Sequence, residues 1–428
     1  MSRIDRKTLL DLEFPAVLQQ MSEYCITELG QKASLRITPF RKHDKILKQL
    51  SRVKEFKDSF DSDSAIPNHG FESINKELTL LNIENSQVEI SGFRRISSVC
   101  QATSDLLAYF KKYEEFYIYL ASQAEKINYT KLINEEIHKI IDRYGLVKDD
   151  ASEDLAEIRK RLSHVKNQTN ASFNRALQQY QQAGYLDEIK ETIVNNRRVL
   201  AVSANYRRRV NGSVLGSSKT GSILYIEPQE TLEYATELSH LTYEENEEIK
   251  RILKALTEYI KPYAGLLKSY QNYLVKIDII YAKAKYAMAI GGNMPIINKN
   301  KQVKLIKAYH PLLLTSNKKL NKPTYPQNFE LYKEQRIIVI SGPNAGGKSI
   351  SLKTVGLLQI MLQSGLLVPL DPMSEMCYFK RVLSDIGDNQ SIENHLSTYS
   401  YRLKKMNQFI RQCNKDTLFL IDEFAESL

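Results

Sequence analysis

Two stretches of the chain carry the hydrophobic spacing of long helices, and a stretch with the spacing of short strands lies between them. From Asp150 onward, Leu155, Ile158, Leu162 and Val165 step by three, four and three. This coiled-coil-like seam continues loosely to Phe173 and Tyr180 before Gly184 ends it. The period then shortens. Thr192–Val194, Val199–Val202, Val210–Leu215 and Ile223–Ile226 are β-branched or apolar runs, punctuated by Asn195-Asn196, Asn211-Gly212 and Thr220-Gly221. That pattern predicts a small antiparallel sheet. After Pro228 the helical signal returns, and from Ile249 it holds heptad register through Leu253, Leu256, Ile260, Tyr263, Leu267, Tyr270, Leu274 and Ile277 to Tyr281. A continuous helix of about 33 residues would run ~50 Å. Its expected partner is the helix that begins near Asp150, although the core face of a helical bundle gives the same stripe. Pro262 predicts a kink near Glu258 to Pro262, at ~3 kcal/mol.

Outside this middle section, the first ~145 residues read as helices joined by polar loops such as Ser59–Gly70. Near the other end, Arg336–Ile340 reads as a buried strand, a helical pattern follows through Met361, and Thr417–Ile421 reads as a second strand. The expected class is a multi-domain α/β protein, mainly helical, with a small antiparallel β element and an α/β domain after it. Expected boundaries are 1–149 for a helical core, 150–290 for the long helices with the β segment at about 192–226, and 291–428 for the α/β part.

Composition agrees with mostly helix: the 428 residues include only 17 glycines and 12 prolines. No run approaches the ~18 apolar residues of a membrane span, and Met1–Arg6 lacks the apolar core of a leader, so a cytoplasmic protein is expected. Cys25, Cys100, Cys377 and Cys413 lie far apart and match neither a disulfide framework nor a zinc spacing. The net charge is +10, and its position informs more than its size. Between Thr192 and Ile226 fall Arg197, Arg198, Arg207, Arg208, Arg209 and Lys219, with no acidic residue. Such a segment on a β tip between two long helices suits a polyanionic partner, though a solvated face has the same composition.

The chemistry is concentrated in Gly342, Pro343, Asn344, Ala345, Gly346, Gly347, Lys348 and Ser349, which match Gly-x-x-x-x-Gly-Lys-Ser between a predicted strand and a predicted helix. In that setting the glycines let successive N–H groups converge on phosphates. Lys348 supplies charge at the β and γ oxygens, and the Ser349 hydroxyl ligates Mg²⁺. ATP and Mg²⁺ are the expected cofactors. The Thr417–Ile421 strand runs into Asp422 and Glu423. Asp422 would enter the Mg²⁺ shell, and Glu423 would orient and deprotonate the attacking water. The plainer reading of that pair is a strand ending in two solvated acids. Between the motifs, Asp385–Ser391 and Leu396–Ser400 are polar, and a Ser-Thr turn at a helix start can donate to a γ-phosphate across a subunit boundary.

These residues resemble the MutS family of DNA-repair ATPases, specifically its second bacterial branch, which lacks the mismatch-reading domain. Its members are described as recombination suppressors and ribosome-collision factors. The resemblance rests on Leu12-Glu13-Phe14, Thr27-Glu28-Leu29-Gly30, Ile226-Glu227-Pro228-Gln229, His310-Pro311-Leu312-Leu313, Gly342–Ser349 and Asp385–Tyr399, and it covers essentially the whole chain. It implies a helical lever, a DNA-gripping β clamp and an ABC-type P-loop head whose ATP cycle opens and closes the clamp on branched or mismatched DNA. It also implies a homodimer in which Ser397 and Thr398 reach the partner's nucleotide, with Gln390 among the nucleotide-binding residues.

Two departures qualify what the resemblance implies. No segment matches the mismatch-reading domain, which favours backbone or shape recognition. After Glu423 only Phe424–Leu428 follow, where the family continues through a glycine-rich turn and a histidine-bearing switch, so ATP turnover is expected only once that part is supplied. Nuclease activity is not expected. The competing expectations are a ribosome-associated member of the same family and a nucleotide-binding interaction module without hydrolysis.

Overall fold

The computed structural model describes residues 4–62, 65–332, 334–343, 347–386 and 406–422. In chain order its elements are α1 (Arg6–Asp11), α2 (Phe14–Ser22), α3 (Glu28–Ser34), α4 (His43–Asp58), α5 (Asn75–Leu80), α6 (Ile90–Lys112), α7 (Ile118–Ala124), α8 (Leu132–Ile140) and α9 (Glu153–Gln182). Next come β1 (Leu186–Val194), β2 (Arg197–Ser203), β3 (Gly212–Ser217), β4 (Ile223–Pro228), α10 (Gln229–Ile260), α11 (Ala264–Ile290), β5 (Ile296–Asn298) and β6 (Val303–Ala308). The last are α12 (Pro311–Lys319), β7 (Gln327–Leu331), α13 (Lys348–Gln363), β8 (Glu375–Cys377), β9 (Arg381–Asp385) and β10 (Thr417–Ile421). The chain divides into two compact units: residues 1–74, 98–130 and 265–428 form one, and residues 75–97 and 131–264 form the other.

The second unit is built on α9 and α10. Ser152 caps α9 by accepting the Leu155 N–H at 3.1 Å, and Glu153 and Asp154 follow in the first turn, where the helix dipole favours acids. The helix ends in a Schellman motif. Gly184, at φ +73°, donates its N–H to Gln181, and Tyr185 donates to Tyr180. Leu162 and Val165 of α9 bury against Leu241 of α10, with Ile158, Tyr234 and Leu238 alongside. Toward its C-terminal end, α9 buries Phe173, Ala176 and Tyr180 against Leu200, Val202, Val210 and Ile226 of the β segment.

That segment forms an antiparallel four-stranded sheet in the order β1-β2-β4-β3. Val194 pairs with Arg197 across a two-residue turn in which Asn195 and Asn196 both have positive φ (49° and 62°). This is the type I′ geometry that Asn tolerates better than most residues. The first strand begins at Leu186, earlier than the alternation predicts, because a β-bulge between Leu186 and Glu191 interrupts the period.

The heptad stripe from Ile249 to Tyr281 is interrupted where the kink is expected. Its helical run breaks into α10 and α11, separated by a 3₁₀ turn at Lys261–Tyr263. Pro262 supplies the cause: without an N–H, and with its ring against the carbonyl four residues back, it interrupts the α-helical ladder.

The first unit is organised around α11, which is buried on nearly every side, as expected for a helix with no continuous polar face. Helix α13 is likewise buried from Gly356 to Gln363 and packs against α2, α4 and β10. A four-stranded sheet of order β5-β8-β6-β7 and a parallel pair, β9 with β10, complete the unit. Here the expected buried strand Arg336–Ile340 is corrected. It joins no sheet among the described residues, and Ile337 and Val339 are 78% and 85% exposed. An apolar β-branched run acquires strand structure only where a sheet edge accepts its backbone. In this structure β9 and β10 pair with each other instead.

Candidate functional site

Helix α13 begins at Lys348, immediately after Gly347, whose φ of +79° is a left-handed entry that glycine adopts without a Cβ clash. No acidic residue lies in its first turn, so the positive end of its dipole is left uncompensated by the helix itself. The Lys348 ammonium donates to the Gly342 carbonyl at 2.8 Å. Ser349 is exposed at the second helical position, and Gly342 and Pro343 are exposed on the approach. Asn344, Ala345 and Gly346 lie outside the described residues, as do Gln390, Ser397, Thr398 and Glu423.

One close approach ties the middle of α13 to the strand that runs into Asp422, and backbone pairing ties that strand to β9. A Cβ at Gly356 would lie 2.5 Å from Leu420 Cδ1 and 2.6 Å from Leu12 Cδ2, so glycine here lets the helix close on β10 and on the turn after α1. The parallel register pairs Ile421 with Asp385, and the Asp422 N–H donates to the Asp385 carbonyl at 2.9 Å. Asp385 and Asp422 therefore end adjacent parallel strands at their carboxyl edge, where open α/β sheets present ligands. Asp422 is half-buried. A hydroxyl and a carboxylate are hard oxygen donors of the kind Mg²⁺ takes alongside phosphate and water, so Ser349 and Asp422 fit that ion chemically.

The basic residues separate into two groups. Arg197 pairs with Glu227, itself only 4% exposed, at 2.9 Å. Arg198 donates to Glu191 at 2.6 Å and to Asn170 and Asn174, and it lies 4.2 Å above the Phe173 ring. Arg207 donates to the Val210 and Gly212 carbonyls. These three hold the β segment together. By contrast, Arg208, Arg209 and Lys219 are exposed and form no ion pair with a described residue. Folding thus lowers the effective charge of the segment, because β1 and β4 bring Glu191 and Glu227 beside arginines from which the sequence separates them.

Several buried polar residues escape a reading by motif. Asp278 on α11 is fully buried and accepts the N–H groups of Ile26 and Thr27, each at 2.9 Å, and the Thr27 hydroxyl. His69 Nε2 lies 3.3 Å from the same carboxylate. Burial opposes its charge, but the bonds from His69, Thr27 and Ile26 prevail and hold the carboxyl below its usual value. This explains Thr27-Glu28-Leu29-Gly30: Thr27 caps α3, and a Cβ at Gly30 would sit 2.1 Å from Asp278 Oδ2. His310 precedes Pro311, the first residue of α12, and burial pushes its pKa down to about 4, leaving it neutral. The glycine is the visible signal; its partner Asp278, far away in sequence, is not.

Residues 338–426 match the family model MutS domain V. Over 425 residues the chain is 34% identical to the putative endonuclease MutS2 of Bacillus subtilis, covering 99% of this chain and 53% of that protein. It is 30% identical to the endonuclease MutS2 of Staphylococcus carnosus over 98% of this chain and 53% of that protein. It is also 30% identical to the endonuclease MutS2 of Aquifex aeolicus over 98% of this chain and 54% of that protein. The chain therefore spans about half the length of the curated relatives it matches. The domain V match lies over the glycine-loop helix and the acidic strand end, and the similarity to the MutS2 proteins extends through α9, the β segment and α10, so the chain carries a match to MutS domain V and resembles the MutS2 branch of the MutS family along nearly its whole length.

Proposed function

We propose that this chain binds Mg-ATP at the head of α13 and DNA at the β1–β4 segment, and that nucleotide occupancy changes the grip on DNA. The observation that carries the reading is the build of α13. A left-handed glycine admits the chain to an acid-free helix N-terminus, Lys348 donates to the Gly342 carbonyl, and Gly356 seats the same helix on the strand that runs into Asp422. In this reading the loop N–H groups and Lys348 hold the phosphates, while Ser349 and Asp422 hold Mg²⁺. Glu423 orients the attacking water, and Gln390, Ser397 and Thr398 complete a site shared with a second copy. ATP supplies the phosphoryl group and its charge; the residues named here bind, orient and neutralise it.

On the DNA side, Arg208, Arg209 and Lys219 contact the phosphate backbone, and Arg197, Arg198 and Arg207 keep the segment rigid behind them. Nothing in the segment distinguishes one phosphate polymer from another, so ribosomal RNA is the competitor to test. The relatives are named endonucleases; we assign no residue described here to strand cleavage. No helix among the described residues is long and apolar enough to cross a membrane, which accords with a cytoplasmic setting.

Calorimetry with Mg-ATP tests the first half: saturable heat is expected for the wild type, with affinity reduced at least tenfold in Lys348→Ala. DNA anisotropy across a salt series tests the second. Neutralising Arg208 and Arg209 together is expected to flatten the slope of log K against log salt by ~0.9 for each lost phosphate contact. No heat from folded wild type overturns the nucleotide site, and an unchanged slope moves the DNA grip elsewhere.

A further inference from the structure

Lys283 lies on α11 and is only 3% exposed. Its ammonium donates to the carbonyl of Ser364 at 2.6 Å, and Ser364 is the residue that closes α13. The carbonyls of the preceding turn are satisfied by the backbone that follows the helix. The Gly365 N–H bonds Leu362 and the Leu366 N–H bonds Met361, a Schellman motif with Gly365 at φ +72°. Neutral contacts fix the same end. The Phe40 N–H donates to the Gln363 carbonyl at 2.8 Å, the Phe379 N–H donates to Gln363 Oε1, and Gln359 donates to the Cys377 carbonyl. Lys283 is the charged contact among these, placed where the negative pole of the helix dipole concentrates.

We propose that Lys283 is a positioning residue for the nucleotide site, its ammonium clamping the C-terminal end of α13 to α11 and so fixing where the phosphate-binding head of that helix lies. This rests on the reading of Gly342–Ser349 as a phosphate loop. Helix α13 is 16 residues long, so a displacement at its end is carried as a rigid rod to Lys348 about 24 Å away.

The clamp also titrates. Burial pushes the Lys283 pKa down to about 7. The groups around it are uncharged or engaged elsewhere. Phe40 presents its ring at 5.9 Å, Gln49 of α4 approaches Gly365, and α13 carries no charged residue between Thr354 and Ser364. On α11 itself, Asp278 is bonded to Thr27 and Ile26, and Lys285 lies over the rings of Phe60 and Tyr281. Lys45 and Lys48 of α4, like Arg41 and Lys42 before it, are exposed. As pH rises through neutrality the charged clamp is lost, while global stability moves the opposite way. A lysine with a depressed folded pKa binds fewer protons folded than unfolded from about pH 7 to its ordinary 10.5, so folding becomes more favourable across that span.

The test is the Mg-ATP dissociation constant of the full chain at pH 6.5 and pH 8.5, for the wild type and Lys283→Met, each with its melting curve. The nucleotide's own titration is common to both proteins and cancels in the comparison. We expect wild-type affinity to weaken three- to tenfold more than that of Lys283→Met between the two pH values, with the two proteins matching at pH 8.5. Should Lys283→Met fail to fold, the wild-type profile decides alone, because affinity falling while stability rises is the signature of the clamp. Equal affinities and equal pH profiles in wild type and variant, or a wild-type affinity that follows stability, overturn the clamp and leave the nucleotide site standing. Absence of nucleotide binding by folded wild type at both pH values overturns the site, and the clamp with it.

Discussion

The seam between α9 and α10 and the core around α11 hold their charged groups in different places. In the unit built on α9 and α10, the helix seam is apolar and charges meet at its margin. Arg159 reaches Glu245, Asp149 and the Val147 carbonyl, while Arg251 reaches Asp154 and Glu248. In the unit built on α11 and α13, charge enters the core itself, with Asp278 and Lys283 both buried on one helix. A marginal ion pair in high dielectric contributes little, whereas a buried charge held by specific donors is costly to disturb. The first arrangement makes an element that needs only the correct spacing. The second makes elements whose relative positions are fixed by individual bonds, which suits a unit where the head of one helix is to be held against a strand end.

The sharpest way to break this contrast is Asp278→Ala. It leaves two backbone N–H groups, the Thr27 hydroxyl and His69 without their acceptor, and a loss of ~3–5 kcal/mol is expected in urea unfolding. The pH dependence has a definite sign. The carboxyl is held below its ordinary 3.8, so its stabilisation is complete above that value and is lost as pH falls through the folded value. Acid unfolding of Asp278→Asn should lack that component. A loss below ~1 kcal/mol for Asp278→Ala would mean that the buried charge is no anchor.

The same contrast decides how much the sequence discloses. The spacing of Leu155, Leu162 and Val165, the stop at Gly184 and the turn at Asn195-Asn196 each act through neighbours a few residues away, so periodicity and turn chemistry suffice to place them. Asp278 and Lys283 reach residues 251 and 81 positions away, and nothing local to α11 names those partners. The glycine loop was readable as a motif, and the structure places Gly347 and Lys348 at a helix start. Its upstream strand fails because an apolar β-branched run reports the capacity for β structure and not the presence of a free edge. The charge of the β segment also needs the fold to be read in full: Glu191 and Glu227 flank the basic run in sequence but meet Arg198 and Arg197 in the folded sheet.

A middle-sized effect is expected at Gly356→Ala. Alanine is the better helix former by ~1 kcal/mol, so a purely local account predicts stabilisation. The added methyl would instead press on Leu420 and Leu12, both buried, and overpacking of this kind costs ~1–3 kcal/mol. The net loss expected in thermal unfolding is about 1 kcal/mol, with a weaker Mg-ATP affinity because α13 can no longer seat on β10. A stabilised variant would show that the close approach has slack, and that the core unit tolerates displacement as readily as the long helix pair.

The smallest effect is expected where the ion pairs are most numerous. Arg159→Ala removes a guanidinium with three partners, but its side chain is 24% exposed, and its partner Asp149 is 82% exposed. Solvent screens such pairs, so the loss should be no more than ~1 kcal/mol and should shrink further at high salt. Chemical unfolding of this variant at two ionic strengths, beside Asp278→Ala under the same conditions, measures the difference between the units directly. The Arg159 effect should fade with salt while the Asp278 effect, shielded from ions by its burial, should persist. If both fade alike, the core unit is not organised by desolvated bonds and the distinction between the two units disappears.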